Sequence, residues 1–187
     1  MNLRSDPILT TRRLYKSVLL TTLKKAESLF QQRDNSQCVH LLKQAIPLTR
    51  LALDYVDTLM LYKLVADVEF LSKNFDEALN VCHVVNYITQ SNSDQNWINA
   101  EMELTLTKLR IGCLKTACLC LMRKQKYTEA ILSLKLCFEH CLRVNDEEGE
   151  GFVYEQMSYC YFYLGKMKKA EYFNTRFRMG VLEDKDS

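Results

Sequence analysis

The chain has 187 residues, 48% of them hydrophobic and 26% charged, so it has enough apolar matter for a core and does not read as a disordered polymer. Only five Gly and two Pro are present, which argues against a strand-rich fold with its many turn residues. The net charge of +2 argues against a dedicated nucleic-acid binder, although it divides into +5 over residues 1–33, −4 over 34–110 and +1 over 111–187.

In chain order, residues 1–10 are expected to form a tail, 11–181 a helical-repeat domain and 182–187 a second tail. The first helical stretch carries Arg12, Arg13, Lys16, Lys24 and Lys25, a basic face able to meet an acidic partner or simply to face water. Ala26-x2-Leu29 and Cys38-x3-Leu42-x2-Ala45 then give a first pair of helices, with Pro47 expected to kink or end the second. The next pair holds Tyr62-x2-Val65-Ala66 and Phe75-Asp76-Glu77-Ala78-x3-Cys82-x2-Val85. After the breaker Ser91-Asn92-Ser93, with Asp94 as cap, an unusually long helix is predicted over about 94–123. Its partner follows with Tyr127-x2-Ala130-x3-Leu134-x2-Cys137. The last pair is Tyr154-x2-Met157-Ser158-x2-Tyr161-x3-Gly165-x-Met167-x2-Ala170, its second helix predicted over about Met167 to Met179.

Each pair places a small residue on its first helix twelve positions before a small residue on its second: Ala26/Cys38, Ala66/Ala78, Cys118/Ala130 and Ser158/Ala170. Antiparallel helices reach the short end of the usual ~8–10 Å separation only where small side chains face each other. The second-helix positions repeat at intervals of 40, 52 and 40 residues. The expectation is an all-α solenoid of about four helix-turn-helix hairpins, about eight helices in all.

This pattern resembles the tetratricopeptide repeat, most specifically in Asn74-Phe75-Asp76-Glu77-Ala78-Leu79 and Lys126-Tyr127-Thr128-Glu129-Ala130-Ile131. The resemblance covers about residues 15–180. The 40-residue interval and the Asp146-Glu147-Glu148-Gly149-Glu150-Gly151 linker are similar to the long-repeat subclass of the Leu-Gly-Asn-repeat polarity adaptors and ciliary repeat proteins. Asn35, Glu69 and Asn174 depart from the family pattern. The resemblance implies that first helices line a concave groove for a peptide or helix. In the repeat register the groove would hold Lys63, Asp67 and Phe70, then Lys115, Leu119 and Arg123, then Glu155, Tyr159, Phe162 and Tyr163. Leu23 and Glu27 occupy the places where co-chaperone arrays hold a terminal carboxylate, so that use is not expected.

No glycine-rich phosphate loop, Ser/His/Asp set or His-Glu-x-x-His motif occurs, so no catalytic residue is nominated and no cofactor is expected. Cys137, His140 and Cys141 share a helix face that Cys160 could complete as a metal site. Without a Cys-x2-Cys pair, however, the sulfurs read as small core residues, and no metal ligand is nominated. Trp97 reads as a packed cap at the start of the long helix. Val18-Leu19-Leu20 is too short for a signal core, and Lys115 interrupts the only other apolar stretch, so no membrane segment is predicted and the eight Cys read as reduced cytosolic thiols. The functional expectation is a protein-binding scaffold or adaptor in the cytoplasm, or a subunit of a cytoskeletal or ciliary assembly. A second contact is expected at the C-terminal hairpin, where Tyr172, Phe173 and Phe177 need cover. The alternative is an RNA-binding helical repeat using the basic first helix.

Overall fold

The computed structural model describes the backbone of residues 7–51, 54–91 and 99–183, and the side chains of 14–51, 54–90 and 99–180. Among these residues it is all-α, with helices α1 Pro7–Gln31, α2 Asn35–Leu51, α3 Tyr55–Leu71, α4 Phe75–Ser91, α5 Ala100–Arg123, α6 Tyr127–Val144, α7 Glu147–Tyr163 and α8 Met167–Glu183. Each helix packs on the next in chain order, and α3 also packs on α5, so the four hairpins build an α-solenoid.

The hairpins are alike because their turns are alike. Arg33, Lys73, Gln125 and Gly165 all adopt the left-handed conformation, with φ of 62°, 66°, 60° and 70°. In every turn the residue after this one donates its N–H to a carbonyl five residues back: Asp34 to Leu29, Asn74 to Glu69, Lys126 to Leu121 and Lys166 to Tyr161, at 2.8–2.9 Å. These are Schellman closures, which satisfy the carbonyls left open at the end of the first helix. Only the fourth turn uses glycine; the other three accept the roughly 1–2 kcal/mol that a side chain costs there.

The small pairs lie where the helices meet. Ala66, Ala78, Cys118 and Ala130 are wholly buried, and Ala26, Cys38 and Ala170 nearly so. Two of the pairs also hydrogen-bond across the contact. Cys38 Sγ donates to the Ala26 carbonyl at 3.3 Å, and the Ser158 hydroxyl donates to the Ala170 carbonyl at 3.0 Å. Around them runs a core in three successive clusters, shared by α1–α3, by α3–α5 and by α5–α8. Leu42, Leu59, Leu61 and Leu134 are almost fully enclosed, and each such side chain contributes roughly 1.5–3 kcal/mol.

Several expectations need correction. The extra twelve residues before the third unit do not all enter one helix from Asp94. Helix α5 begins at Ala100, capped by Asn99, whose side chain accepts from the Met102 N–H at 2.8 Å. At 24 residues against 17 in α3, it takes seven of the twelve, and the connection before it takes five. Asp94 and Trp97 lie outside the described residues. Nor is α5 alone in its length, since α1 has 25 residues and starts at Pro7, inside the span expected to be a tail. Proline suits a first turn, where its missing N–H would have no partner. Of the two outcomes expected at Pro47, a kink or an end, the end is excluded, because α2 continues through it to Leu51. Thr49, four residues after Ala45 and fully buried, donates to the Ile46 carbonyl at 2.8 Å and receives the Thr58 hydroxyl at 2.8 Å, which ties the last turn of α2 to α3. Helix α8 likewise runs past Met179 to Glu183.

Candidate partner-binding face

The face in question belongs to the first helices α3, α5 and α7. It is assembled by contacts that recur with the repeat. Lys63 of α3 lays its side chain over Gly112 of α5, where an added Cβ would stand 2.6 Å from Lys63 Cε. Fifty-two residues on, Lys115 of α5 holds its ammonium 5.4 Å above the Phe152 ring of α7. Gly112 and Phe152 occupy the same repeat position, so each lysine reaches from one first helix to the equivalent place on the next. Helices α3 and α5 therefore pack side by side, and α7 meets α5 through the Lys115–Phe152 contact.

Lys63 and Asp67 form an ion pair on α3, and Asp67 also accepts from the Thr116 hydroxyl of α5 at 2.9 Å. Both are half-buried, and their charges offset each other within α3 while Asp67 ties that helix to α5. Phe70 is half-buried against Phe75 across its own turn, ring centroids 5.7 Å apart. Leu119 and Lys115 are half-buried, and Arg123 is exposed at the end of α5. Glu155 is half-buried and accepts from Gln156 Nε2 at 2.8 Å. Tyr159, Phe162 and Tyr163 are 48%, 54% and 61% exposed, high values for aromatic side chains on a packed helix. Tyr163 stacks on Tyr127 at 4.9 Å, and Phe162 meets the edge of Tyr163 at 5.6 Å.

The sequence register also omits residues that this surface contains. Met60, Leu64 and Leu71 of α3 are all substantially exposed. Their spacing of four and then seven puts them on one side of the helix. The i, i+4, i+11 pattern was visible beforehand, but a buried stripe has the same period, and burial separates the two.

Glu69, a departure from the repeat pattern, is buried and answered twice: Lys43 Nζ stands 3.2 Å from one oxygen, and Asn74 Nδ2 donates to the other at 2.8 Å. This is structural chemistry between hairpins. Cys137, His140, Cys141 and Cys160 are also buried. Burial pushes the Cys160 thiol up to about 11, and burial also raises Cys137 and Cys141, which disfavours the thiolate a metal would bind. Among the described residues no group of three or more His, Cys, Asp or Glu is placed to hold a metal ion. A concavity on the outer side of α8 is lined by Lys168, Glu171, Tyr172, Thr175, Arg176 and Met179 of that one helix. No described helix is long and apolar enough to cross a membrane. No protein-family model matches the chain, and no curated protein is similar enough to count as a relative.

Proposed function

We propose that this solenoid is a protein-binding scaffold of the tetratricopeptide type, without enzymatic activity of its own, which takes a peptide or helix on the face of α3, α5 and α7. The observation that carries the reading is the exposure of Leu64 on α3 and of Tyr159, Phe162 and Tyr163 on α7, with Lys63 and Asp67 neutralising each other on α3. Aromatic and apolar anchors flanked by a few charges are what interface centres use. The 40-residue interval supports a place among long-repeat adaptors. The corresponding setting is the cytoplasm, in a cytoskeletal or ciliary assembly. A second contact at the C-terminal hairpin is supported by the exposure of Tyr172 and Met179 on α8.

The test is co-purification with the wild-type chain and with a Leu64→Asp/Tyr159→Asp double variant. The variant should keep its helical circular dichroism and lose the partner that the wild type retains. Retention of the same partner by the folded variant would remove this face from the binding surface. A second reading, RNA binding along α1, is favoured by the exposure of Lys16, Lys24 and Lys25. It predicts salt-sensitive binding to polyuridylate that Lys24→Glu/Lys25→Glu abolishes.

A further inference from the structure

Charge gathers at one corner of the molecule. Residues 123–127 and 159–169 contain Arg123, Lys124, Lys126, Lys166, Lys168 and Lys169 and no carboxylate. The two stretches adjoin in space, because Tyr127 at the start of α6 stacks on Tyr163 at the end of α7. Three of the cations are engaged: Lys124 with Asp76, Lys126 with Glu129, and Lys169 above the Tyr161 ring. Arg123, Lys166 and Lys168 are exposed and have no ion-pair partner among the described residues. Arg123 lies four residues before Tyr127, whose ring stacks on the exposed Tyr163, and Lys166 follows Tyr163 by three residues, while Lys168 lines the α8 concavity with Glu171.

We propose that this corner, formed by the tips of the third and fourth hairpins, receives an acidic linear segment of a partner protein that carries a leucine or aromatic anchor between its carboxylates. The proposal rests on the protein-binding reading above and adds the chemistry of the partner. The rings supply apolar area at low cost in side-chain freedom, and the free cations Arg123 and Lys166 select the sign of the flanking charges. Two helix spacings of ~8–10 Å make the corner roughly 20 Å wide, room for about six extended residues.

A nucleic acid fits less well. A single strand needs a continuous cationic track over several nucleotides. Along the same edge of the solenoid the next turn, at Lys73, is followed by Asp76 and Glu77, and the first turn by Asp34. On the open side, Glu155 stands one helical turn before Tyr159. The positive surface is therefore confined to the tips of two hairpins and bounded by carboxylates.

Fluorescence anisotropy with the full chain tests this. The probes are a labelled dodecapeptide in which glutamates alternate with leucine and one phenylalanine, its lysine counterpart, a form with serine replacing the apolar residues, and oligouridylate of equal length. The glutamate peptide should bind saturably and the lysine peptide should not. The serine form should bind roughly tenfold more weakly, and Arg123→Glu/Lys166→Glu should cost the glutamate peptide roughly tenfold or more. Unchanged affinity in that folded double variant, equal binding of the serine form, or preference for oligouridylate would each overturn the proposal. Leu64→Asp/Tyr159→Asp separates the two readings. If it releases the partner while Arg123→Glu/Lys166→Glu does not, the corner fails and the groove stands; if neither releases it, both fail.

Discussion

Gly149 shows how one missing methyl group holds two hairpins together. It sits in the first turn of α7, where Asp146 accepts its N–H at 2.9 Å and the Cys141 side chain of α6 crosses directly over it. An added Cβ would stand 2.5 Å from Cys141 Sγ and also run into Asp146 Oδ2. Gly149→Ala should therefore lower stability by about 1–3 kcal/mol through overpacking, despite alanine's better helix propensity. Urea denaturation measures this, and a neutral or stabilising result would mean that the α6–α7 turn yields easily. His140 offers a pH-dependent counterpart. It is buried, its Nδ1 has no hydrogen-bond partner among the described residues, and burial together with Arg110 and Arg143 holds its pKa below the ordinary imidazole value, against a weaker pull from Glu139. The unfolded imidazole takes up its proton near pH 6.5, and the folded one only at lower pH. Stability should thus be fully present above that value and fall as the pH drops through the window between the two. His140→Leu should flatten this acid-side slope, as unfolding curves at several pH values would reveal; an unchanged slope would assign it to other groups.

The hairpins were legible in the sequence because their determinants are local. A twelve-residue interval between small residues follows from two helices joined by a tight turn, and it holds whatever the rest of the chain does. The start of α5 was less legible because Asp94 and Asn99 are equally acceptable caps by residue type. Asn99 is the one whose side chain receives the Met102 N–H. Asn99→Ala should cost about 1 kcal/mol and fray α5 from its first turn. Hydrogen exchange would detect faster exchange confined to residues near 102–105, with protection around Cys113 to Leu121 unchanged. If the whole helix exchanged faster, α5 would be a single cooperative unit. The ends of the binding face were hidden for a different reason. Lys63 and Asp67 pair locally on α3, but their half-burial comes with Thr116 and Gly112, which lie about fifty positions away in sequence and meet them only when α3 and α5 pack.

The whole molecule is a row of neighbours. Its three core clusters succeed one another along the chain, so hairpins support one another chiefly through the helix they share. Removing α7 and α8 by ending the chain at Asn145 would uncover Leu134, Cys137 and Cys141 of α6 while leaving the α1–α3 cluster its own contacts. The expected outcome is strong exchange protection through α1–α4 and loss of it in α6; uniform collapse of protection would show longer-range cooperativity than stacking alone provides.

All eight cysteines are free and enclosed, one in the first hairpin, one in the second, five in the third and one in the fourth. Their sulfurs are shielded from aqueous reagents while the array is intact. Each hairpin thus carries its own chemical clock. The order in which the sulfurs take up a maleimide under mild denaturant would read out, residue by residue, which part of the rod comes apart first.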